Sequence, residues 1–108
     1  MEQIEVDFYR TREGKVPFED WYYSLKDSRV KDIVQARIAK VRAGNFGDCK
    51  WVDEGVHEFR IHYGPGYRIY FGQLGRKVVV LLCGGDKRSQ AADIGKAIHY
   101  WQDFRRRS

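Results

Sequence analysis

Basic side chains alternate with apolar ones in the third quarter of the chain, as in a strand with one polar and one apolar face. Successive side chains of a strand point to opposite faces, so Glu58, Arg60 and His62 share the polar face. After a short loop, Arg68 and Tyr70 occupy the corresponding face of the next strand. Imidazole titrates near neutral pH, and guanidinium binds phosphate oxygens in pairs. Such groups could cleave RNA by taking the 2′-OH proton and stabilising the charge that develops on the phosphate.

The loop between these strands, Gly64-Pro65-Gly66, sets their predicted register. Three loop residues predict three opposed pairs, which are Tyr63–Tyr67, His62–Arg68 and Arg60–Tyr70. Directly opposed side chains have Cβ atoms about 4.5–5.5 Å apart, and like charges at that distance weaken a sheet. A ligand that neutralises them would explain the arrangement. A polar face that simply meets water is the alternative, because many antiparallel sheets have one.

A second basic group follows the last predicted strand, where Gly84-Gly85-Asp86 leads into Lys87 and Arg88. The helix that begins there presents backbone N–H groups that can bind an anion, and glycine lets a backbone approach a phosphate closely. In a regular meander this loop lies at the same sheet edge as Arg68. Lys87 or Arg88 could thus join Arg68 around one phosphate.

The chemistry that these residues suggest uses no metal or other cofactor, because no acidic cluster with metal-ligand spacing accompanies them. Tyr70 could stack on a base or orient the 2′-OH. His57 has inward strand parity and His99 lies in the last predicted helix, so both are interpreted as structural. Cys49 and Cys83 are interpreted as free thiols, with Cys83 buried, because neither belongs to a CxxC pair.

Periodicity predicts the elements that must position these residues. Strands are predicted at 4–9, 57–63, 67–73 and 77–83, helices at 16–25, 28–42 and from 89 onward, and loops at 45–55 and 84–88. The order β-α-α-β-β-β-α indicates an α+β fold, in which a helical hairpin packs on a mostly antiparallel sheet with a C-terminal helix. At 108 residues the chain is expected to form a single domain, 1–108.

Composition excludes two classes of protein. Hydrophobic residues make up 43% and aromatic residues 15% of the chain, so it is not intrinsically disordered. The longest apolar run, Val78–Cys83, is too short to span a membrane. Because the N-terminus also lacks the features of a signal peptide, a cytoplasmic location is expected.

The net charge of +5 is unevenly distributed along the chain. Residues 1–56 hold ten basic and eleven acidic side chains, a net of −1, whereas residues 57–108 hold ten and four, a net of +6. This asymmetry predicts a polyanionic partner, with nucleic acid the first candidate. A tail that only aids solubility is the alternative, because Arg105-Arg106-Arg107 supplies three of these charges. We expect Arg105 and Arg106 to attract RNA at long range.

Two stretches resemble a known family: HEFRIHYGPGYRIYF at 57–71 and VVVLLCGGDKR at 78–88. They are similar to the RelE/ParE toxin superfamily, and most of all to its HigB-like addiction-module killer proteins. The similarity covers nearly the whole chain, including a GGDK turn into a final helix that carries Tyr100-Trp101. It implies a RelE-like fold with the same β-α-α-β-β-β-α order.

The resemblance implies the toxin of a type II toxin–antitoxin system, an enzyme that cuts mRNA on the ribosome without a metal and so inhibits translation. Its implied partners are a cognate helix-turn-helix antitoxin, the ribosome and mRNA, with no membrane. Arg68 matches the family arginine that stabilises the scissile phosphate. Arg60 and His62 match positions of basic residues, which are lysines in the best-known case, one acting as base. Lys87-Arg88 matches the basic pair after the last strand, where an arginine contacts phosphate.

The chain departs from the family pattern at one position. RelE-like ribonucleases often carry a base-stacking tyrosine at the start of the last helix, where alignment through Lys87-Arg88 puts Ile94. Tyr67 or Tyr70 could bind the base instead. Two other functions stay open: a ParE-like DNA gyrase inhibitor, which would act by binding, and a non-catalytic RNA- or protein-binding relative.

Overall fold

The computed structural model describes residues 3–107, which form a five-stranded sheet with helices on both faces. The elements in chain order are β1 (Glu5–Phe8), α1 (Pro17–Ser24), α2 (Ser28–Arg42), β2 (Cys49–Asp53), β3 (Val56–Ile61), β4 (Tyr67–Leu74), β5 (Val78–Asp86) and α3 (Gln90–Arg107). A 3₁₀ turn, Lys87–Ser89, leads from β5 into α3. The predicted α+β class, with a mostly antiparallel sheet and a C-terminal helix, is confirmed. The predicted order is wrong by one strand, because it lacks β2.

The sheet is mixed, with strand order β1-β5-β4-β3-β2. Strands β2 to β5 form an antiparallel meander. β1 pairs with β5 in parallel, from Glu5 opposite Val78 to Phe8 opposite Leu81. β1 and β2 are therefore the two edges of the sheet.

α1 and α2 cover one face of the sheet. Pro17 occupies the first position of α1, where its missing N–H costs no helical hydrogen bond. Asp27 caps α2, because its side chain accepts a hydrogen bond from the Arg29 N–H at 2.9 Å. The core on this face contains Phe18, Val30, Val34, Ile38, Val41, Phe59, Ile61, Ile69, Phe71, Val79 and Leu81.

α3 covers the opposite face and forms a second core. That core contains Tyr9, Val56, Tyr70, Val80, Leu82, Cys83, Ala97 and Trp101. Gly72 of β4 permits the close approach of the helix, because a Cβ at this position would overlap the Trp101 indole. Gly84 of β5 does the same on the first face, where a Cβ would overlap the Trp21 ring of α1.

Two predicted loops contain strand residues. Within the predicted loop 45–55, Cys49–Asp53 is the edge strand β2, whose mostly exposed side chains lack the alternation of a half-buried strand. Gly84–Asp86, which lies in the predicted loop 84–88, continues β5. Asp86 is the N-cap of the turn that follows, because its carboxylate accepts two backbone N–H groups of that turn.

The apolar run Val78–Cys83 lies in β5, between β1 and β4, and its side chains enter both cores, which explains why the run lacks alternation. The prediction for the cysteines is confirmed: Cys49 is an exposed thiol and Cys83 a buried one. Burial raises the pKa of Cys83 to about 12. Within residues 3–107, no helix has the length and apolar character needed to cross a membrane.

Candidate active site

The β3–β4 hairpin carries most of the predicted site residues, but its register differs from the predicted one. Its observed pairs are Arg60–Arg68, Ile61–Tyr67 and Glu58–Tyr70. The predicted pairs Tyr63–Tyr67, His62–Arg68 and Arg60–Tyr70 are therefore wrong. The loop spans residues 62–66, because Gly64 and Gly66 adopt φ angles of 56° and 86° and the Gly66 N–H closes a turn on the Tyr63 carbonyl at 3.0 Å. A shift of two residues preserves parity, so the predicted division into two faces is correct for the paired residues 57–61 and 67–71, whereas His62 and Tyr63 lie in the loop.

The loop end of this hairpin borders a cleft of about 340 Å³. Ten residues line the cleft: Arg60, Ile61, His62, Tyr63, Gly64, Pro65, Gly66, Tyr67, Arg68 and Lys87. Lys87 comes from the turn before α3, and its backbone N–H donates to the Gly66 carbonyl at 3.1 Å, which ties that turn to the loop. Five predicted site residues thus meet at one cleft, namely Arg60, His62, Tyr67, Arg68 and Lys87. Because none of the ten lining residues is acidic, the cleft favours an anion.

Asp48, in the turn before β2, holds two of these side chains. Its Oδ2 accepts a hydrogen bond from His62 Nε2, and its Oδ1 accepts from Arg60 Nη2 at 3.0 Å. These bonds, that from His62 first, hold the pKa of the Asp48 carboxyl below its usual range. Because a carboxylate can only accept, neutral His62 carries its hydrogen on Nε2 and its lone pair on Nδ1. The His62 side chain is 74% exposed, so its ring is open to solvent.

Sequence patterns alone do not reveal Asp48, because its segment shows no strand periodicity. The pairing of β2 with β3 places it beside the hairpin. Cys49 lies opposite Phe59, and the Arg60 N–H donates to the Asp48 carbonyl at 2.9 Å. If an edge strand is assigned at 49–53, its register with β3 places Asp48 next to Arg60.

Arg37 of α2 fixes the segment that carries Asp48. Its guanidinium donates to three backbone carbonyls, those of Phe46, Asp48 and Arg60, at 2.6 to 3.3 Å. It also lies over the ring of Phe59, 5.5 Å from the ring centre. Burial lowers the pKa of Arg37. Since its hydrogen bonds join α2, the turn before β2 and β3, Arg37 positions Asp48 against His62.

The prediction that Tyr70 contacts RNA conflicts with the structure, in which this side chain is fully buried. Tyr70 belongs to the core under α3, which covers this part of the polar hairpin face. Burial also raises the pKa of the Tyr70 hydroxyl. Strand parity predicts which side chains share a face, but it does not show whether a helix covers that face.

Glu58 and Arg68 lie beside Tyr70 on the same face of the hairpin. Arg68 Nε is 3.5 Å from Glu58 Oε1, and the two side chains are 15% and 4% exposed. Within the described part of the chain, neither of these atoms has a hydrogen-bond partner, nor has the Tyr70 hydroxyl. Separating such a buried pair would leave a charge uncompensated in a low-dielectric site. Because Arg68 also lines the cleft, Glu58 anchors a cation in the cleft wall.

Besides Tyr70, three predicted site residues lie outside the cleft. Arg88 is 85% exposed, and its guanidinium donates to the Asp86 carboxylate at 3.0 Å. Arg105 and Arg106 belong to the last turn of α3, and the helical rise places Arg106 roughly 24 Å along the axis from the first residue of the helix. There Arg106 lies 4.0 Å from Asp103. The structure therefore does not bring these three side chains to the cleft.

The other two histidines also lie outside the cleft. His57 stacks on Phe71 with ring centres 5.3 Å apart, and burial lowers its pKa. His99 is exposed on α3, 6.2 Å from the ring centre of Tyr100. Ile94 packs against the core under α3. Among residues 3–107, no group of three or more His, Cys, Asp or Glu side chains is placed to hold a metal ion.

Comparison with known proteins relates the chain to a protein of Haemophilus influenzae, which is described as an uncharacterized protein. The two are 46% identical over 80 residues, which is 74% of this chain and 81% of that protein. The chain belongs to the same family as this Haemophilus protein. No protein-family model matches the chain. The relationship indicates common descent and assigns no activity to the chain.

Proposed function

We propose that the chain is the toxin of a type II toxin–antitoxin system, a HigB-like member of the RelE/ParE superfamily with a RelE-like fold. In this proposal it is a metal-independent, ribosome-dependent mRNA endoribonuclease of the cytoplasm. Its partners are a cognate helix-turn-helix antitoxin, the ribosome and mRNA. The observation that supports the proposal is the cleft in which His62, ordered by Asp48, stands beside Arg60, Arg68 and Lys87.

The cleft residues divide the steps of RNA cleavage between them. Arg68 and Lys87 bind the phosphate, and their positive charges stabilise the pentacoordinate dianion. His62 Nδ1 takes the proton of the adjacent 2′-OH as its oxygen attacks the phosphorus. The new O2′–P bond replaces the P–O5′ bond, whose oxygen takes a proton from solvent water, and the exposed His62 imidazolium then returns its proton to solvent. The products are a 2′,3′-cyclic phosphate and a 5′-hydroxyl end.

Two further residues support this chemistry. The Asp48 carboxylate keeps His62 in the Nε2–H tautomer and stabilises the imidazolium that forms when Nδ1 takes a proton. Tyr67 is half-buried in the cleft wall, where its ring offers a stacking surface to a base. Tyr67 can thereby replace the family tyrosine whose aligned position is Ile94.

Primer extension on a translated reporter mRNA, in cells that express the chain, tests the proposal. The wild type should cleave within translated codons, and His62→Gln should not. Arg68→Lys should lower cleavage by about 10²-fold or more, because lysine keeps a charge beside Glu58 but loses the paired guanidinium donors. Arg76→Ala is the matched charge control in the exposed turn between β4 and β5, and it should cleave like the wild type.

Two results would overturn the proposal. Growth arrest with double-strand DNA breaks and intact mRNA would indicate a ParE-like gyrase inhibitor. RNA binding without cleavage on translating ribosomes would indicate a non-catalytic relative. Thermal unfolding of each variant is the necessary control, because a change at Arg68 disturbs its buried pairing with Glu58.

A further inference from the structure

A second concavity adjoins the cleft at the Asp48–His62 pair. It has a volume of about 430 Å³ and lies between α2 and the end of β3. Its walls include Ile33, Ala36 and Lys40 of α2. We term it the α2 groove.

The α2 groove and the cleft lie side by side. Arg60, Ile61, His62 and Tyr63 line both of them. A chain molecule whose phosphate lies against Arg68 in the cleft can therefore continue into the groove by crossing His62.

The α2 groove differs from the cleft in its chemistry. Ile33, Ala36 and Ile61 give it apolar walls, and Tyr63 adds an aromatic ring. Lys40 is an exposed cation at its border. The acidic residue that lines the groove, Asp48, is already paired with Arg60 and His62.

This combination matches a flat, weakly polar group that is attached to an anionic backbone. Aromatic rings stack on nucleobases of any sequence, and basic side chains beside them follow the phosphates. An apolar protein segment would fill the walls of the groove, but it would leave Lys40 and the adjoining cationic cleft without a counterpart. The observations therefore favour a nucleotide over a peptide.

We propose that the α2 groove binds a nucleobase of the RNA strand whose phosphate occupies the cleft. The base stacks on Tyr63, and a flanking phosphate lies near Lys40. This inference rests on the proposed function, which is what places an RNA phosphate in the cleft. The groove then adds the stacking of a base to the phosphate contacts that the cleft makes.

Binding of a 2′-O-methyl RNA hexamer, which cannot be cleaved through its 2′-oxygen, tests the inference by fluorescence anisotropy. A hexamer with the same backbone and no bases serves as the reference ligand. Tyr63→Ala removes the stacking ring, and Ala36→Trp fills the groove from an exposed position of α2. Each should weaken binding of the base-containing hexamer about tenfold, as loss of one stacked base predicts, without changing the affinity for the abasic hexamer.

Two matched variants act as controls. Tyr63→Phe keeps the aromatic ring, so it should bind both hexamers like the wild type. Ala39→Trp adds the same bulk to another exposed position of α2, one that does not line the groove, and it should also bind like the wild type.

The possible failures are distinguishable from one another. Unchanged or equally weakened binding of both hexamers by Tyr63→Ala and Ala36→Trp would overturn the nucleobase site, while codon-level cleavage would leave the proposed function standing. Absence of hexamer binding by the wild type, together with intact reporter mRNA, would overturn both. A wild-type dimer that Ala36→Trp converts into a monomer, with hexamer affinity unchanged, would make the groove a protein interface and would also overturn the inference.

Discussion

Two carboxylates of this fold each gather several hydrogen-bond donors, one beside the cleft and the other at the far end of α3. Asp48 accepts from His62 and Arg60. Asp103 accepts from the Tyr9 hydroxyl at 2.6 Å and lies 2.9 Å from Arg107 Nη2. Both carboxyl groups have pKa values below the usual range, chiefly because of the hydrogen bond from His62 in one case and from Tyr9 in the other.

The partners of the two carboxylates differ in how far they are enclosed. Around Asp103 the donors are themselves held, because Tyr9 is buried and Arg107 lies over its ring and also donates to the Arg10 carbonyl. At Asp48, the exposed His62 can still exchange a proton with a ligand. His62, the titratable partner of Asp48, is thus open to solvent, whereas Tyr9, the titratable partner of Asp103, is buried, so the Asp48 cluster is the candidate functional site.

The largest expected effect is on mRNA cleavage, which should depend on Asp48 and not on Asp103. Asp48→Asn should lower cleavage of the reporter mRNA by about 10–100-fold, because an amide no longer fixes the Nε2–H tautomer of His62. Asp103→Asn should leave the cleavage rate per folded molecule unchanged. Quantified primer extension measures both variants, and the reverse ranking would contradict the comparison.

The free energy of unfolding should depend more on the Asp103 cluster than on the Asp48 cluster. Tyr9→Phe removes a buried donor to a charged acceptor and should lower the free energy of unfolding by about 1–3 kcal/mol. His62→Gln changes an exposed side chain and should alter it by less than about 0.5 kcal/mol. Urea denaturation measures both values. A larger loss in His62→Gln would show that the Asp48 cluster, too, holds the fold together.

Acid should destabilise the protein through both clusters. A carboxyl group whose pKa is lower in the folded state stabilises the fold above its unfolded pKa of about 3.9, and this contribution is lost as the pH falls towards the folded value. Urea midpoints measured from about pH 6 down to about pH 2 should therefore fall. The urea midpoint of Asp103→Asn should fall less steeply over this range, because this variant has no carboxyl group to protonate at position 103. An equally steep fall would mean that Asp103 contributes nothing to the acid sensitivity.

The smallest expected effect is on the salt dependence of RNA binding. It is compared between Lys87 at the cleft and Arg106 near Asp103. RNA affinity should decrease with ionic strength, and the log–log slope should follow the number of phosphates contacted. Lys87→Ala should reduce the magnitude of this slope by about 0.7, the value for one contact to a single strand, whereas Arg106→Ala should not change it. Binding titrations across several salt concentrations measure the slopes. A flat response in the wild type would argue against any phosphate-binding face.

Strand periodicity predicts much of the candidate site. Parity places Glu58, Arg60 and Arg68 on one face, and a register error of two residues leaves that assignment unchanged. The register itself depends on the positive φ angles of Gly64 and Gly66, which start the turn at Tyr63. Residue types alone allow several loop lengths here, so the register could not be predicted.

Contacts between distant elements lie beyond what periodicity can predict. Asp48 joins the site through β2, an edge strand whose sequence CKWVD does not alternate and whose conformation depends on pairing with β3. Tyr70 is buried because α3 packs on its face of the sheet. Asp48 therefore depends on a strand that has no periodic pattern, and Tyr70 depends on a helix that is distant in the sequence.

The hydrogen bond between Tyr9 and Asp103 joins residues 94 positions apart, and β1 pairs with β5 instead of a strand close to it in sequence. Contacts across such separations form only after a long intervening loop has closed. During synthesis, β1 has no partner strand until β5 has left the ribosome, and the sheet stays uncovered on one face until α3 follows. Lys87 belongs to the same late segment, so a growing chain has no complete cleft until most of it has been made.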